Sequence, residues 1–106
     1  QLSGITADSI ILCCQNIEIG EGSIFSWGCY ISDSSQHTYN GKLTVEPVVI
    51  GSHVWVSEGV TLAPGSKIGS GSVIGAKSFV KGEFPKAVFL AGSPAKIKST
   101  DISWKR

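Results

Sequence analysis

The sequence predicts an all-β solenoid, and three observations carry that prediction. Every sixth residue from Ile50 is a branched aliphatic: Ile50, Val56, Leu62, Ile68, Ile74 and Val80. Small residues follow the first five, as Gly51, Ser57, Ala63, Gly69 and Gly75, and small or β-branched residues stand four places on, as Val54, Val60, Ser66, Ser72 and Ser78. The composition agrees, because 13 glycines and only 16% charged residues suit many tight corners better than a helical bundle, whose surface needs more Lys and Glu. A helix would space its apolar residues by three and four, and a half-buried strand by two. A period of six instead describes coils that bury apolar residues only by stacking on one another. Three hexapeptides close one triangular coil. This predicts Ile50 over Ile68, Val56 over Ile74 and Leu62 over Val80, with coils roughly 4.8 Å apart.

Residues 1–12 are weakly patterned and read as an incoming strand or incomplete coil. The chain begins at Gln1, already near a repeat. A solenoid end needs a cap, so a further N-terminal portion or a partner is expected to cover that end. From Cys13 the beat runs Cys13, Ile19, Phe25, Ile31, with Ile17, Ser23 and Cys29 at the second inward position. Cys13 and Cys29 are therefore expected as small core residues. A nucleophilic cysteine is the weaker reading, because no His stands near either in sequence to form its thiolate.

The beat then breaks. Ile31 and Ile50 are 19 residues apart, one more than a coil, and the segment between them is polar and rich in turn formers. Either a loop leaves the solenoid around residues 32–48 or one irregular coil runs through it. Rigid scaffolds carry function on such loops, and His37 lies in its middle. After Val80, Pro85 suits a corner, and Ala87–Ala91 is apolar and strand-like. The expected division is a β-helix over residues 1–86, with a C-terminal strand and tail over 87–106 packing on it. The tail contains Trp104; packing on a neighbour and disorder both remain open for it.

The 106 residues make one domain. A net charge of +1 argues against a general role on nucleic acid or membrane surfaces. The charge is uneven, with eight of the nine bases after residue 46, so an anionic ligand is sought in that half. Cys13, Cys14 and Cys29 leave an odd thiol and no C-x-x-C pair, which fits a reduced, cytoplasmic setting. The apolar run at residues 10–14 is too short to span a bilayer.

The residues Val54-Trp55-Val56, Pro64-Gly65, Val73-Ile74-Gly75-Ala76, Val80-Lys81 and Ala91-Gly92…Pro94-Ala95-Lys96, with Ile31-Ser32-Asp33 and His37 upstream, resemble the hexapeptide-repeat acyltransferases. The nearest branch is the sugar and polysaccharide O-acetyltransferases. The resemblance covers about residues 13–98. It implies a left-handed parallel β-helix, a homotrimer, and acetyl-CoA as co-substrate in a groove between subunits. It also implies direct transfer to a sugar or glycan hydroxyl with a His as general base. Where the family's segment often carries a second acid, this chain has Ser34, Ser35 and Gln36.

The chemistry needs a base that takes the acceptor's proton as its oxygen attacks, and a neutral imidazole suits that task. His37 matches the family's base, with Asp33 or a carbonyl to orient it; a solvated loop histidine is the plain alternative. His53, at a repeat corner, is expected to be exposed. Two histidines do not supply the three that a γ-carbonic-anhydrase-type zinc site needs, so no metal is expected. Trp55 lies between inward Val54 and Val56 and should point outward, into an interface or the active-site groove. Trp27 should also point outward, towards a sugar ring or an interface.

For the coenzyme, the outward edges near Ser57, Ala76 and Lys77 offer backbone partners to the pantetheine amides, and the resemblance places the nucleotide end, with its phosphates, at Lys81, Lys96 and Lys98; each lysine also reads as plain solvated surface. A backbone N–H near Ser57 is a candidate oxyanion donor. The rival function is a non-catalytic β-helix that trimerises or binds a small molecule. The acceptor, including a hydroxyl against an amine, is not legible.

Overall fold

The computed structural model describes residues 4–5, 9–13, 15–39 and 41–105, and of residues 4, 5, 35–39 and 42–44 the backbone. It is a left-handed parallel β-helix. β1 (Gly4–Ile5) and β2 (Ile10–Leu12) belong to an incomplete first coil. β3 (Ile17–Ile19), β4 (Ile24–Phe25) and β5 (Tyr30–Ser32) make the next. β6 (Ser34–Tyr39) and β7 (Lys42–Val45) form an antiparallel hairpin. The helix resumes with β8 (Val48–Ile50), β9 (Trp55–Val56) and β10 (Thr61–Leu62). A further coil holds β11 (Lys67–Ile68), β12 (Val73–Ile74) and β13 (Phe79–Val80). β14 (Glu83–Phe84) and β15 (Phe89–Gly92) begin the last, and β16 (Ala95–Ser99) turns back antiparallel on β15.

The strands stack into three faces. Face A runs β1-β4-β9-β12-β15-β16, face B runs β2-β5-β10-β13, and face C runs β3-β8-β11-β14. The expected registers hold: Ile50 pairs with Ile68, Val56 with Ile74, and Leu62 with Val80. Phe25, Val56, Ile74 and Leu90 form one inward column with no exposed surface. At roughly 1.5–3 kcal/mol per buried side chain, such columns are the main stabilising term.

At the second inward position, buried serines tie coil to coil. Ser72 Oγ accepts from the Val88 N–H (3.1 Å) and donates to the Pro85 carbonyl (3.3 Å), and Ser66 Oγ donates to the Ala63 and Val80 carbonyls. Such hydroxyls satisfy corner groups that a purely apolar column would leave unpaired. Gly20, Gly51 and Gly69 follow face C, where the coils approach most closely. A Cβ on Gly51 would stand 2.6 Å from the Ser70 nitrogen.

The break after Ile31 is the hairpin, not an irregular coil. Paired residues across it are 31 apart, as Phe25 with Val56 and Ile31 with Leu62, whereas the following coil pairs at 18. The difference, 13 residues, is inserted at the edge between faces B and C. Cys29 is buried, as expected, and burial pushes its thiol pKa up. Cys13 is exposed, against expectation. The residue paired with Ile31 is Ile11, eight rather than six before Ile19, so the first corner holds two extra residues and displaces Cys13 from the core. Its Sγ lies 3.9 Å from Asp33 Oδ2. Among the described residues no helix is long and apolar enough to cross a membrane.

Candidate active site

The polar hairpin is rooted by Asp33. The Glu46 N–H donates to the Asp33 carbonyl at 2.8 Å. The buried Asp33 carboxylate accepts from the backbone N–H groups of Gln15 and Asn16, each at 2.7 Å through Oδ2. Beside it the Ser34 N–H donates to Ser32 Oγ (3.1 Å), which donates to the Ser34 carbonyl (2.9 Å). Three coil segments therefore converge on the hairpin root. His37 lies within β6; its side chain falls outside the described residues.

Trp55 opens β9 on face A and points outward, 40% exposed, while Val54 and Val56 beside it are fully buried. Trp27 is 66% exposed at the edge between faces A and B. There the Gly59 N–H donates to the Trp27 carbonyl and the Lys77 N–H to that of Glu58 (2.8 Å each). Ser57, Ala76 and Lys77 thus share the A–B edge on successive coils. Lys96 joins them, because it pairs with Ala91, whose Cβ packs near Gly75. Lys98 follows on β16. Lys81 lies apart, after β13 at the B–C edge, on the hairpin's side of the prism. The Ser57 N–H itself donates to the Ile74 carbonyl at 3.0 Å, within the ladder.

The tail, left open by the sequence, packs on its own solenoid. The Ile102 N–H donates to the Ala87 carbonyl (3.0 Å), and two residues on, Trp104 reaches His53. Their rings stack at 3.8 Å and 9°. The indole N–H donates to the His53 carbonyl (3.0 Å), and His53 Nε2 lies 2.8 Å from the Trp104 carbonyl, which it meets as the N–H tautomer. His53 is therefore half-buried rather than an exposed corner. A signal existed in the register: His53 stands where the neighbouring coils carry Gly22 and Gly71, and like them it has positive φ. Trp104 also faces Trp55, with centroids 5.8 Å apart.

The bacterial transferase hexapeptide family (six repeats) matches residues 47–82. The putative lipopolysaccharide biosynthesis O-acetyl transferase WbbJ of Escherichia coli (strain K12) is 33% identical over 97 residues, covering 78% of this chain and 50% of that protein. The crystal structure of the polySia-specific acetyltransferase NeuO superposes with a TM-score of 0.88 at 30% identity, over 98% of this chain and 53% of that one. A galactoside acetyltransferase solved in complex with coenzyme A shares the fold, with a TM-score of 0.77 at 24% identity over 93% of this chain and 59% of its own. The chain spans between about a third and a half of the length of the curated relatives it matches first. By its repeat, its coil register and these likenesses, the chain is a hexapeptide-repeat β-helix similar to sugar and polysaccharide O-acetyltransferases.

Proposed function

We propose that this chain is the β-helical part of an acetyltransferase that moves an acetyl group from acetyl-CoA to a hydroxyl of a sugar or glycan, in a cytoplasmic trimer. The observation that carries the reading is the separation of its parts. The His37 hairpin leaves the prism at the B–C edge, whereas Trp55 stands on face A and Ser57, Ala76, Lys77 and Lys96 follow the A–B edge. One copy does not bring these edges together. Side-by-side packing of prisms sets one copy's hairpin against another's A–B edge, and cyclic symmetry closes that heterologous contact.

The A–B edge suits the donor. Backbone groups along successive corners meet the pantetheine amides, and Lys77 and Lys96 there, with Lys98 further back along face A, offer cations to its phosphates. Acetyl-CoA supplies the acetyl group as a thioester. His37 takes the acceptor's hydroxyl proton as the oxygen bonds to the acetyl carbon. The C–S bond breaks, and the imidazolium returns the proton to the departing sulfur. Asp33 acts as a positioning residue through the hairpin root it fixes, and Trp55 walls the acyl end.

The test is transfer of radiolabelled acetyl from acetyl-CoA to a panel of sugar glycosides, with His37→Ala as control. Activity lost in that variant, with acetyl-CoA binding retained, supports the reading. A protein that binds neither donor nor glycoside, with His37→Ala indistinguishable from wild type, is instead a non-catalytic trimerisation module.

A further inference from the structure

A cleft of about 250 Å³ opens on face A, lined by Ile24, Trp55, Trp104 and Lys105. It lies outside the coenzyme edge, and half of its lining comes from the tail. We infer that Trp104 and Lys105 belong to the acceptor site, and that the acceptor is an acidic pyranoside; this rests on the acetyl-transfer reading above.

Two independent observations make the tail a built wall. Trp104 is fixed three ways on His53, by the ring stack and two hydrogen bonds. His53 itself adopts φ 55° at a corner column where Gly22, Gly71 and Ala87 hold the same left-handed backbone. A non-glycine residue there is disfavoured, yet it alone supplies a ring on which Trp104 lies flat. The result is an aromatic corner, with the Trp55 and Trp104 planes tilted by 46°.

The lining chemistry selects the occupant. Three of the four side chains are apolar and the fourth is a cation. A purine would bury ring nitrogens along its edge against groups that cannot hydrogen-bond, which is costly, and its phosphates would ask for several cations. A pyranose presents an apolar C–H face to an indole and keeps its hydroxyls at the rim in water. Lys105 lines the cleft with its hydrocarbon stem and is exposed, so its ammonium in solvent is the group to meet a ring carboxylate. The occupant is therefore a sugar with an anionic substituent, seated beside the proposed acyl end at Trp55.

The test follows the three indole N–H signals, of Trp27, Trp55 and Trp104, during titration with methyl β-glucuronide and methyl β-glucoside. The glucuronide is expected to shift Trp55 and Trp104 and leave Trp27 in place. It should bind about threefold tighter than the glucoside, the order of an exposed ion pair, and Lys105→Gln, which leaves the His53 contact intact, should abolish the preference. Trp104→Ala, verified as folded, should weaken both sugars about tenfold. Shifts at Trp27 alone, equal affinity for the two sugars, or binding untouched by Trp104→Ala would each overturn the inference. Acetyl-CoA binding is measured in parallel by thermal shift. If it stabilises the protein while glucuronide does not bind, the acceptor assignment falls and acetyl transfer stands. Glucuronide bound through Trp104 without acetyl-CoA binding keeps the sugar cleft and sinks the transferase reading.

Discussion

The Glu46 amide donates to the Asp33 carbonyl across 2.8 Å, and this bond closes a 13-residue insertion without disturbing the coil beneath it. The solenoid and the hairpin are therefore separable. Removing residues 34–46 restores a six-residue step from Ile31 to Ile50. Pro47 should be changed to Gly in that variant, because the aligned Gly65 has φ +83°, which proline does not adopt. Far-UV circular dichroism should retain the β signature with cooperative unfolding, while acetyl transfer disappears. Loss of the fold would show that the hairpin holds the coils together.

In the intact protein, His37→Gln should lower kcat by about 10²–10⁴-fold, the range for a general base. The Kd for acetyl-CoA should stay within about twofold, because the proposed donor contacts at Ser57, Ala76, Lys77 and Lys96 do not include His37. Steady-state kinetics together with a binding titration separates the two.

The glycine column after face C tolerates no side chain. Gly51→Ala should cost about 1–3 kcal/mol by overpacking, read as a lower denaturant midpoint with unchanged slope. Ala76→Gly, on an exposed corner, is the control and should shift the midpoint far less.

Ser72→Ala removes the acceptor of the buried Val88 N–H, and should cost about 1–3 kcal/mol, the penalty for a buried donor left unpaired. Amide exchange at Val88 should accelerate more than at Val73, whose N–H donates to the Val88 carbonyl.

Most of the fold was legible because the stacking rule repeats in sequence: Val56 and Ile74 are both apolar and 18 apart for the same reason they touch. What the period could not carry was an insertion or deletion at a corner. Two extra residues before Ile19 moved Cys13 out of the core, and a shortened corner brought Phe84 to pair with Ile68 and Leu90 with Ile74, each 16 residues on. Trp55 was legible as outward because its neighbours fix its direction. The seat of Trp104 was not, since a tail's docking depends on surface shape and not on periodicity. Only the glycine-column position of His53 hinted at it.

Cys29 gives a pH prediction. Burial raises its thiol pKa above the ordinary 9.0, so the folded state holds the proton more tightly than the unfolded chain. Its contribution to stability is complete below pH 9 and falls as pH rises from there through the folded pKa. Cys29→Val should flatten that alkaline decline in urea unfolding. Under native conditions at neutral pH, peptide mapping after alkylation should find Cys13 modified and Cys29 protected.

The central claim is a site assembled from different copies, and subunit complementation tests it most directly. His37→Ala and Trp55→Ala chains, each inactive alone, are unfolded, mixed in equal amounts and reassembled. If each site takes the hairpin from one copy and face A from the next, random mixing makes about a quarter of the sites intact in both respects, and a like share of activity returns. A mixed trimer that regains no activity, while reassembled wild type is fully active, would contradict the shared site.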